Sequence, residues 1–586
     1  MDKRFFLALL LTAIVIIVPP LLFPGMNARR TVRTGDSSIA SHSDTAARAA
    51  VRDTVATTAA TTVRDTAAAA APATPATRAT TAAPSAQVAP AVRVETTTVK
   101  TKLASYAFSS LGAAPISVVL DSYPSRRPGT KKAAAELLPP HAMLARYRLA
   151  LGADTVALDT VSFNTVAEQA AGKTTVRFTS TIKGSPVELT YAVAADSFLL
   201  HVDAHVKNAP KGSALLVALP HSLQSNEPDT LDDIRHLAVS YRPGASDIES
   251  VGFGKLDSGE VRAEARPTQW LAARNKYFLI AYRTPAATPF ATVQIEGGRR
   301  VGKVANDIAA RGALPLRADG TARFDIYAGP QDFERLRTLG ADLDQVNPYG
   351  GFLRGLVQPF AVIVMRVLLW IKHTTHLNYG WVLVLFGVIV RLALWPLNQS
   401  AMRTSLKMQR LQPELQALQK KHGDDPRKQQ EAIMKVYKDH GMSPLSPLMG
   451  CLPMLLPTPV LFALYFVFQN TIEFRGVPFL WLPDLSLRDP YFITPILMGL
   501  SMFVMSWIGM RNSPPNPQAK MMMFMMPVML TVFFFNLASG LNLYYAVQNV
   551  AAIPQQWLLA RERGKEPVPP SPVIRGIPAP AQKRRG

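Results

Sequence analysis

Residues 379–398 read YGWVLVLFGVIVRLALWPLN, and the fold turns on how that stretch is read. Between Trp381 and Leu397 the one charged residue is Arg391. A helix of about 20 apolar residues, rising about 1.5 Å per residue, matches the hydrocarbon core of a bilayer. Arg391 is the anomaly in that match. Its guanidinium holds its charge at any ordinary pH, and at the centre of a spanning helix it costs about 2.5–3.5 kcal/mol on insertion scales. Two placements relieve the cost. The side chain can snorkel to the interface from a helix end, and Asn398 lies only seven residues on. Alternatively it faces protein, a partner charge or a water-filled cavity within the membrane. The second placement predicts a polar cavity inside the bilayer.

On the amino-terminal side of this stretch, Phe352–His373 is apolar but carries Arg354, Arg366 and Lys372. Those cations make it a poor span and a fair amphipathic helix lying in the interface. On the carboxyl side four further apolar runs follow, Leu452–Asn470, Tyr491–Ile508, Met521–Asn536 and Gly540–Leu558. Each is about 16–20 residues, enough to span where the bilayer thins or the ends fray. The last two are parted only by Leu537–Ser539, which requires a tight hairpin. At the start of the chain Lys3 and Arg4 precede an uncharged run from Phe5 to Phe23. A cleaved signal peptide and an uncleaved anchor both fit such a run. Its length, the Pro19-Pro20 interruption and the lack of an A-x-A-like site close behind favour the anchor.

Short-loop charges orient the spans. Residues 398–442 hold nine Lys and Arg against five Asp and Glu, and the tail after Ala560 holds seven against two. The loop Thr471–Pro490 holds two against three. By the positive-inside rule the first loop and the tail face the cytoplasm, both termini lie inside, and the large segment before Tyr349 lies outside, in the periplasm of a two-membrane envelope.

That outer segment changes texture twice. From about Ala28 to Val99 it is dominated by Ala and Thr with scattered Pro, and has too little large apolar content to form a core. From Thr101 to Asp344 it breaks into short alternating runs such as Thr175–Ile182, Val187–Ala194, Phe198–Val206, Ala214–Leu219, Tyr277–Arg283 and Arg323–Gly329, separated by turn residues. Such runs predict a β-sandwich. The chain thus divides into an anchor (1–25), a flexible linker (26–100), a β-sandwich (101–348), an interfacial helix (349–376), a helical core (377–559) with a cytoplasmic hairpin at 398–442, and a basic tail (560–586). The expected fold is a polytopic α-helical membrane protein with six transmembrane helices, five of them forming the core, and a β-sandwich outside.

The hairpin has its own pattern. Leu411, Leu415 and Leu418 make one helical stripe, and Ile433, Val436 and Tyr437 a second. Between them, residues 421–426 (KHGDDP) supply a turn, an Asp cap and a Pro at the first helical position. Arg403, Lys407, Arg410, Lys420 and Lys421 give its outer surface a basic face, either a recruitment surface or a merely solvated one.

Composition narrows the function. The 586 residues carry a net charge of +22 with pI ≈ 10.1, and the cations crowd the flanks of apolar runs and the tail. Cys451 is the single cysteine, which excludes internal disulfides. Ten histidines show no metal-ligand spacing, and no GxxxxGK[ST] loop occurs. No metal, cofactor or catalytic residue is expected.

Several segments together resemble one family. Gly387–Leu397 (GVIVRLALWPL), Lys407–Leu418 (KMQRLQPELQAL), Met449–Leu456 (MGCLPMLL) with Pro459–Tyr465 (PVLFALY), Asp484–Gly499 (DLSLRDPYFITPILMG), Met526–Phe535 (MPVMLTVFFF) and Ser539–Asn549 (SGLNLYYAVQN) are similar, in this order, to YidC-type membrane protein insertases of the YidC/Oxa/Alb family. Trp270–Phe278 (WLAARNKYF) and Tyr327–Pro330 (YAGP) resemble the large periplasmic domain of the bacterial form. The resemblance implies five core helices around a hydrophilic groove open to cytosol and lipid, with Arg391 as its positive charge, receiving acidic or polar segments of nascent membrane proteins. It implies action in the bacterial inner membrane as an insertase and chaperone, alone or beside the Sec translocon. Apolar partitioning, at about 25 cal/mol per Å², would drive release into lipid without a nucleotide.

Further groove candidates are the polar residues of the final hairpin, Asn536, Asn542, Tyr545, Gln548 and Asn549, with Ser539 and Tyr544. Positions 542, 545 and 549 share one helical face, and 544 and 548 another. Tyr545 matches the second tyrosine of the family's LYY pattern, a substrate-contacting position. Interhelical hydrogen bonding is the competing role, at about 0.6 kcal/mol per bond. Five methionines in Met521–Met526 suit either a surface that accepts many apolar sequences or ordinary lipid-facing packing. In the tail, Arg561, Arg563, Lys565, Arg575, Lys583, Arg584 and Arg585 suit ribosomal RNA or anionic lipid equally. The chain departs from the family where Pro457 replaces a common Gln, Leu537-Ala538 a Phe-Pro pair, and Gly387 an often hydroxyl-bearing residue. A secondary transporter is the alternative class, but the paired broken helices it requires are not seen in the sequence.

Overall fold

Strand-period alternation of apolar and polar residues governs the chain from Thr96 to Pro330, and helical apolar faces govern it from Arg354 onward. A computed structural model describes residues 94–130, 133–170, 172–301, 304–347, 349, 354–396, 398–399, 411, 414–415, 417–418, 425–439, 458–510 and 517–565. The anchor, nearly all of the linker, the basic residues Arg403, Lys407, Arg410, Lys420 and Lys421, the departure at Pro457, and the tail residues Lys583, Arg584 and Arg585 lie outside the described residues.

Two large antiparallel sheets carry the amino-terminal half. One has nine strands, in the order Glu249–Gly252, Ala238–Pro243, Thr268–Arg274, Phe278–Arg283, Thr321–Pro330, Leu199–Val206, Ser185–Ala194, Lys173–Ile182 and Asn164–Ala170. The other has six, in the order Val261–Glu264, Thr292–Gly297, Ile308–Pro315, Ala214–Ala218, Arg146–Leu151 and Asp154–Ala157. Along Leu199–Val206 the residues Leu200, Val202, Ala204 and Val206 are buried while His201 and Asp203 are exposed, as the two-residue side-chain period requires. The inner faces meet through aromatic rings. The Tyr147 hydroxyl of the six-stranded sheet lies 2.6 Å from the Tyr191 hydroxyl of the nine-stranded one, and the Tyr147 and Phe324 rings stack edge to face. A sandwich follows, as the alternation predicts.

A third sheet of four strands begins at Thr96–Lys100, five residues inside the stretch read as linker. Thr96, Thr97 and Thr98 belong to the low-complexity composition that argued against structure, yet Thr and Val are good strand formers once a partner is present. Here the partner is Ser105–Ser109, in register from Thr96 opposite Ser109 to Lys100 opposite Ser105.

The described α-helices are α1 (Thr230–Arg235), α2 (Phe333–Leu339), α3 (Arg354–Thr375), α4 (Tyr379–Ala393), α5 (Pro426–Asp439), α6 (Thr458–Asn470), α7 (Ile493–Met510), α8 (Pro517–Phe534) and α9 (Ser539–Lys565). Among the described residues two helical segments are long and apolar enough to cross a bilayer, Val357–Thr375 and Ile493–Met510. Two shorter apolar segments, Tyr379–Ala393 and Met523–Phe534, fall below that length. Among the described residues, which leave out the anchor and residues 452–457, the six expected spans are therefore not all seen as full-length apolar helices. The segment expected to lie in the interface is one of the two that reach spanning length, because only Arg366 and Lys372 fall within Val357–Thr375 and Arg354 lies before it.

The outward faces of the helices are apolar. Ile493, Ile496, Leu497, Leu500 and Trp507 on α7, and Phe524, Val528, Val532 and Phe533 on α8, are exposed. A continuous apolar exterior of this kind suits lipid rather than water. Within 398–442 the described residues keep the pattern read from the sequence: the Asp425 side chain accepts the amides of Arg427 and Lys428 at the start of α5, and Leu411, Val436 and Tyr437 form a small core with Leu415, Leu418 and Ile433.

Candidate functional site: a polar seam around Arg391

Helix α4 starts where the Asn378 side chain accepts the Gly380 amide at 2.9 Å, and Arg391 lies in its last turn. Helix α9 runs against it. The close approach is made possible by Gly387, where a Cβ would meet Val547 Cγ1 at 3.0 Å and Tyr544 Cδ2 at 3.6 Å. A hydroxyl-bearing residue would crowd this contact, so the departure at Gly387 trades a polar group for helix packing. The Phe386 and Tyr544 rings pack just above, with centroids 5.7 Å apart.

Two glutamines of α9 then bond on either side of Arg391, one to α4 and one to the segment just after it. Gln548 donates to the Gly387 carbonyl at 3.0 Å and to the Tyr544 hydroxyl at 3.0 Å. Gln555 donates to the Trp395 carbonyl at 3.1 Å and accepts from Arg391 Nη2 at 2.6 Å. The spacing is geometric. Seven residues along α9 and eight from Gly387 to Trp395, two residues past the end of α4, cover similar lengths, so one face of α9 reaches both carbonyls. Arg391 is half-buried, its Nη2 donates to an uncharged amide, and its Nε is buried without an acceptor among the described residues. The guanidinium thus turns toward α9 across the helix interface.

The remaining candidates separate. Asn542 is fully buried and donates to the Phe534 carbonyl at 3.2 Å, tying the two arms of the last hairpin together. Asn549 reaches α7 instead, at Ser501 Oγ (3.2 Å) and the Met498 carbonyl (3.4 Å). Tyr545 is half-buried, with its ring edge-on to Phe534 and Tyr544. Asn536 is exposed in the turn before α9, far along that helix from Gln555, and does not join the seam. Arg561 lies over the Trp557 ring, 3.4 Å from its centroid, and Arg563 lies in the last turn of α9. Gln555 was not among the sequence candidates. Its spacing of seven from Gln548 was the available signal, masked by Pro554 and by its place near the end of the apolar run.

A second cluster joins the sandwich to the loop between α6 and α7. Arg475 bonds to Glu227 at 2.7 Å and to the carbonyls of Pro124 and Asn226 at 3.0 and 3.2 Å. Its guanidinium lies 5.3 Å from the Phe278 ring centroid and 5.9 Å from that of Tyr277. The segment Trp270–Phe278 builds this platform: Asn275 Oδ1 accepts the amides of Tyr277 and Phe278 and so closes the tight turn. Arg126 pairs with buried Asp484, and Gly476, at φ +76°, leaves the space the Arg126 guanidinium occupies. Burial pushes the Glu227 carboxyl up against the pull of Arg475. In the same loop Glu473 accepts the Phe333 amide at 3.2 Å, and burial, with Asp332 adding to it, pushes its carboxyl up to about 8.

Apolar outward faces, a half-buried cation in the helical layer and a sandwich bolted to one loop define an integral membrane protein with a large extramembrane β domain. Two family profiles match the chain, one described as 60Kd inner membrane protein over residues 370–566 and one as YidC periplasmic domain over residues 96–363. The membrane protein insertase YidC of Paraburkholderia phymatum is 31% identical over 450 residues, 73% of this chain and 76% of that protein. The insertase YidC of Anaeromyxobacter sp. strain Fw109-5 is 32% identical over 416 residues, 69% of this chain and 70% of that protein. That of Chlorobaculum tepidum is 30% identical over 397 residues, 63% of this chain and 65% of that protein. The chain belongs to the YidC family of membrane protein insertases, a family of inner-membrane proteins.

Proposed function

We propose that this protein inserts membrane proteins into the inner membrane and assists their folding, alone or with the Sec translocon, by receiving substrate in an intramembrane groove charged by Arg391. Both termini lie in the cytoplasm and the sandwich in the periplasm. The observation that carries the reading is a half-buried arginine in an apolar helix, met by a neutral amide rather than a carboxylate. A fixed charge with no counter-ion among the described residues attracts an acidic or polar segment and lowers the cost of bringing it partway into the membrane. The apolar faces of α7 and α8 then offer a following hydrophobic segment a path into lipid. The partners are nascent membrane proteins, the Sec translocon, the ribosome and anionic lipid, the last two through the basic hairpin and tail.

The test is depletion of the protein with insertion of a short-tailed membrane protein as readout. Insertion falls on depletion and returns with the wild-type chain but not with Arg391→Ala. Unimpaired insertion with collapse of a solute gradient would contradict the reading.

A further inference from the structure

Arg391 is not an open charge. Its Nη2 is occupied by Gln555 Oε1 at 2.6 Å, and Gln555 is 1% exposed, tied at its other end to the Trp395 carbonyl at 3.1 Å. Nε, on the same edge of the guanidinium, is buried and meets no acceptor among the described residues. A carboxylate binds a guanidinium edge through two parallel bonds, and a charge-assisted bond is about twice as strong as a neutral one. An amide oxygen satisfies one donor of that edge and leaves the other open, so it is an acceptor that a carboxylate can replace at a gain. The amide is also the side chain suited to this place, since it accepts from Arg391 and donates to Trp395 at once; a carboxylate there would bind Arg391 permanently and leave Trp395 O without its donor.

We propose that Gln555 is a positioning residue that aims Arg391 into the seam, satisfies it while the groove is empty, and yields it to the carboxylate or polar group of an incoming segment. Gln548, two turns earlier, stays bonded to the Gly387 carbonyl and keeps α9 registered on α4 during the exchange. The proposal rests on the reading of Arg391 as the receiving charge.

The test uses the full chain in proteoliposomes and two substrates that differ only in whether the amino-terminal segment carries Asp or Asn. Wild type favours the acidic substrate. Gln555→Glu supplies a resident counter-ion, so insertion of the acidic substrate falls about tenfold while the neutral one changes little. The exchange Arg391→Gln with Gln555→Arg carries the guanidinium to the other helix and recovers the preference. Equal loss of both substrates in Gln555→Glu, or no recovery in the exchange, overturns the proposal by reducing Gln555 to a helix-packing residue. Arg391→Ala separates the two levels: a preference that survives it defeats the reading of Arg391 itself. A preference that Arg391→Ala abolishes but Gln555→Glu leaves intact defeats the role of Gln555 alone.

Discussion

Charge is handled in opposite ways at two residues. Arg391 keeps its charge because a guanidinium has no neutral form within reach, and the chain meets it with the neutral amide of Gln555, itself held by the Trp395 carbonyl. Glu473 can shed its charge, and its setting favours the neutral form: it is buried beside Asp332, one carboxyl oxygen accepts the Phe333 amide, and the other meets no partner among the described residues. A carboxyl moved from 4.5 to about 8 holds in the folded state a proton that the unfolded chain has lost. Folding stability from this group is therefore complete below pH 4.5 and declines as pH rises toward about 8. Glu473→Gln removes that decline. We expect the melting temperature of the variant in detergent to match wild type in acid and to exceed it above about pH 8, where the underlying stability difference is on the order of a few kcal/mol. A parallel pH dependence in the two proteins would refute the burial account.

Among the elements, helix contacts are set by small residues as much as by large ones. A Cβ at Gly499 in α7 would strike Thr531 Oγ1 of α8, whose hydroxyl already donates to the Pro527 carbonyl at 2.7 Å. Gly499→Ala must push the helices apart, at about 1–3 kcal/mol for an overpacked contact; a lowered melting temperature, partly restored by adding Thr531→Ala, is the expected result. These contacts also explain what the sequence could disclose. The strands of the sandwich were legible because alternation in runs such as Phe198–Val206 reports a buried face directly. The hairpin cap at Asp425 was legible because cap chemistry is local. Which polar residues of α9 meet Arg391 was not. Asn542, Gln548, Asn549 and Gln555 are all amides on one helix, yet they bond to α8, α4, α7 and α4 respectively, the last through Arg391. Their sorting depends on how α9 is rotated against three neighbours, and sequence periodicity gives faces without naming what each face meets.

At the scale of the whole molecule, the sandwich and the helical layer are joined by specific buried polar contacts. Arg475 with Glu227, and Arg126 with Asp484, carry charge into the junction, while the Arg354 guanidinium donates to the Ile248 carbonyl from the start of α3. Such pairs fix orientation, because separating either partner leaves an uncompensated buried charge. The β domain is thereby held against the loop between α6 and α7, at the end of α4 opposite Arg391. The polar seam then lies at the far end of α4 from the β domain, the side from which nascent chains arrive under the proposed topology. The most direct test places a photocrosslinker at Gln548 in the seam and, separately, at Phe524 on the apolar face of α8, in membranes carrying ribosome-stalled nascent chains of increasing length. The account predicts that the acidic amino-terminal segment crosslinks to position 548 at short lengths, and that the following hydrophobic segment reaches position 524 only later. Crosslinking to 524 at every length with none to 548 would contradict it.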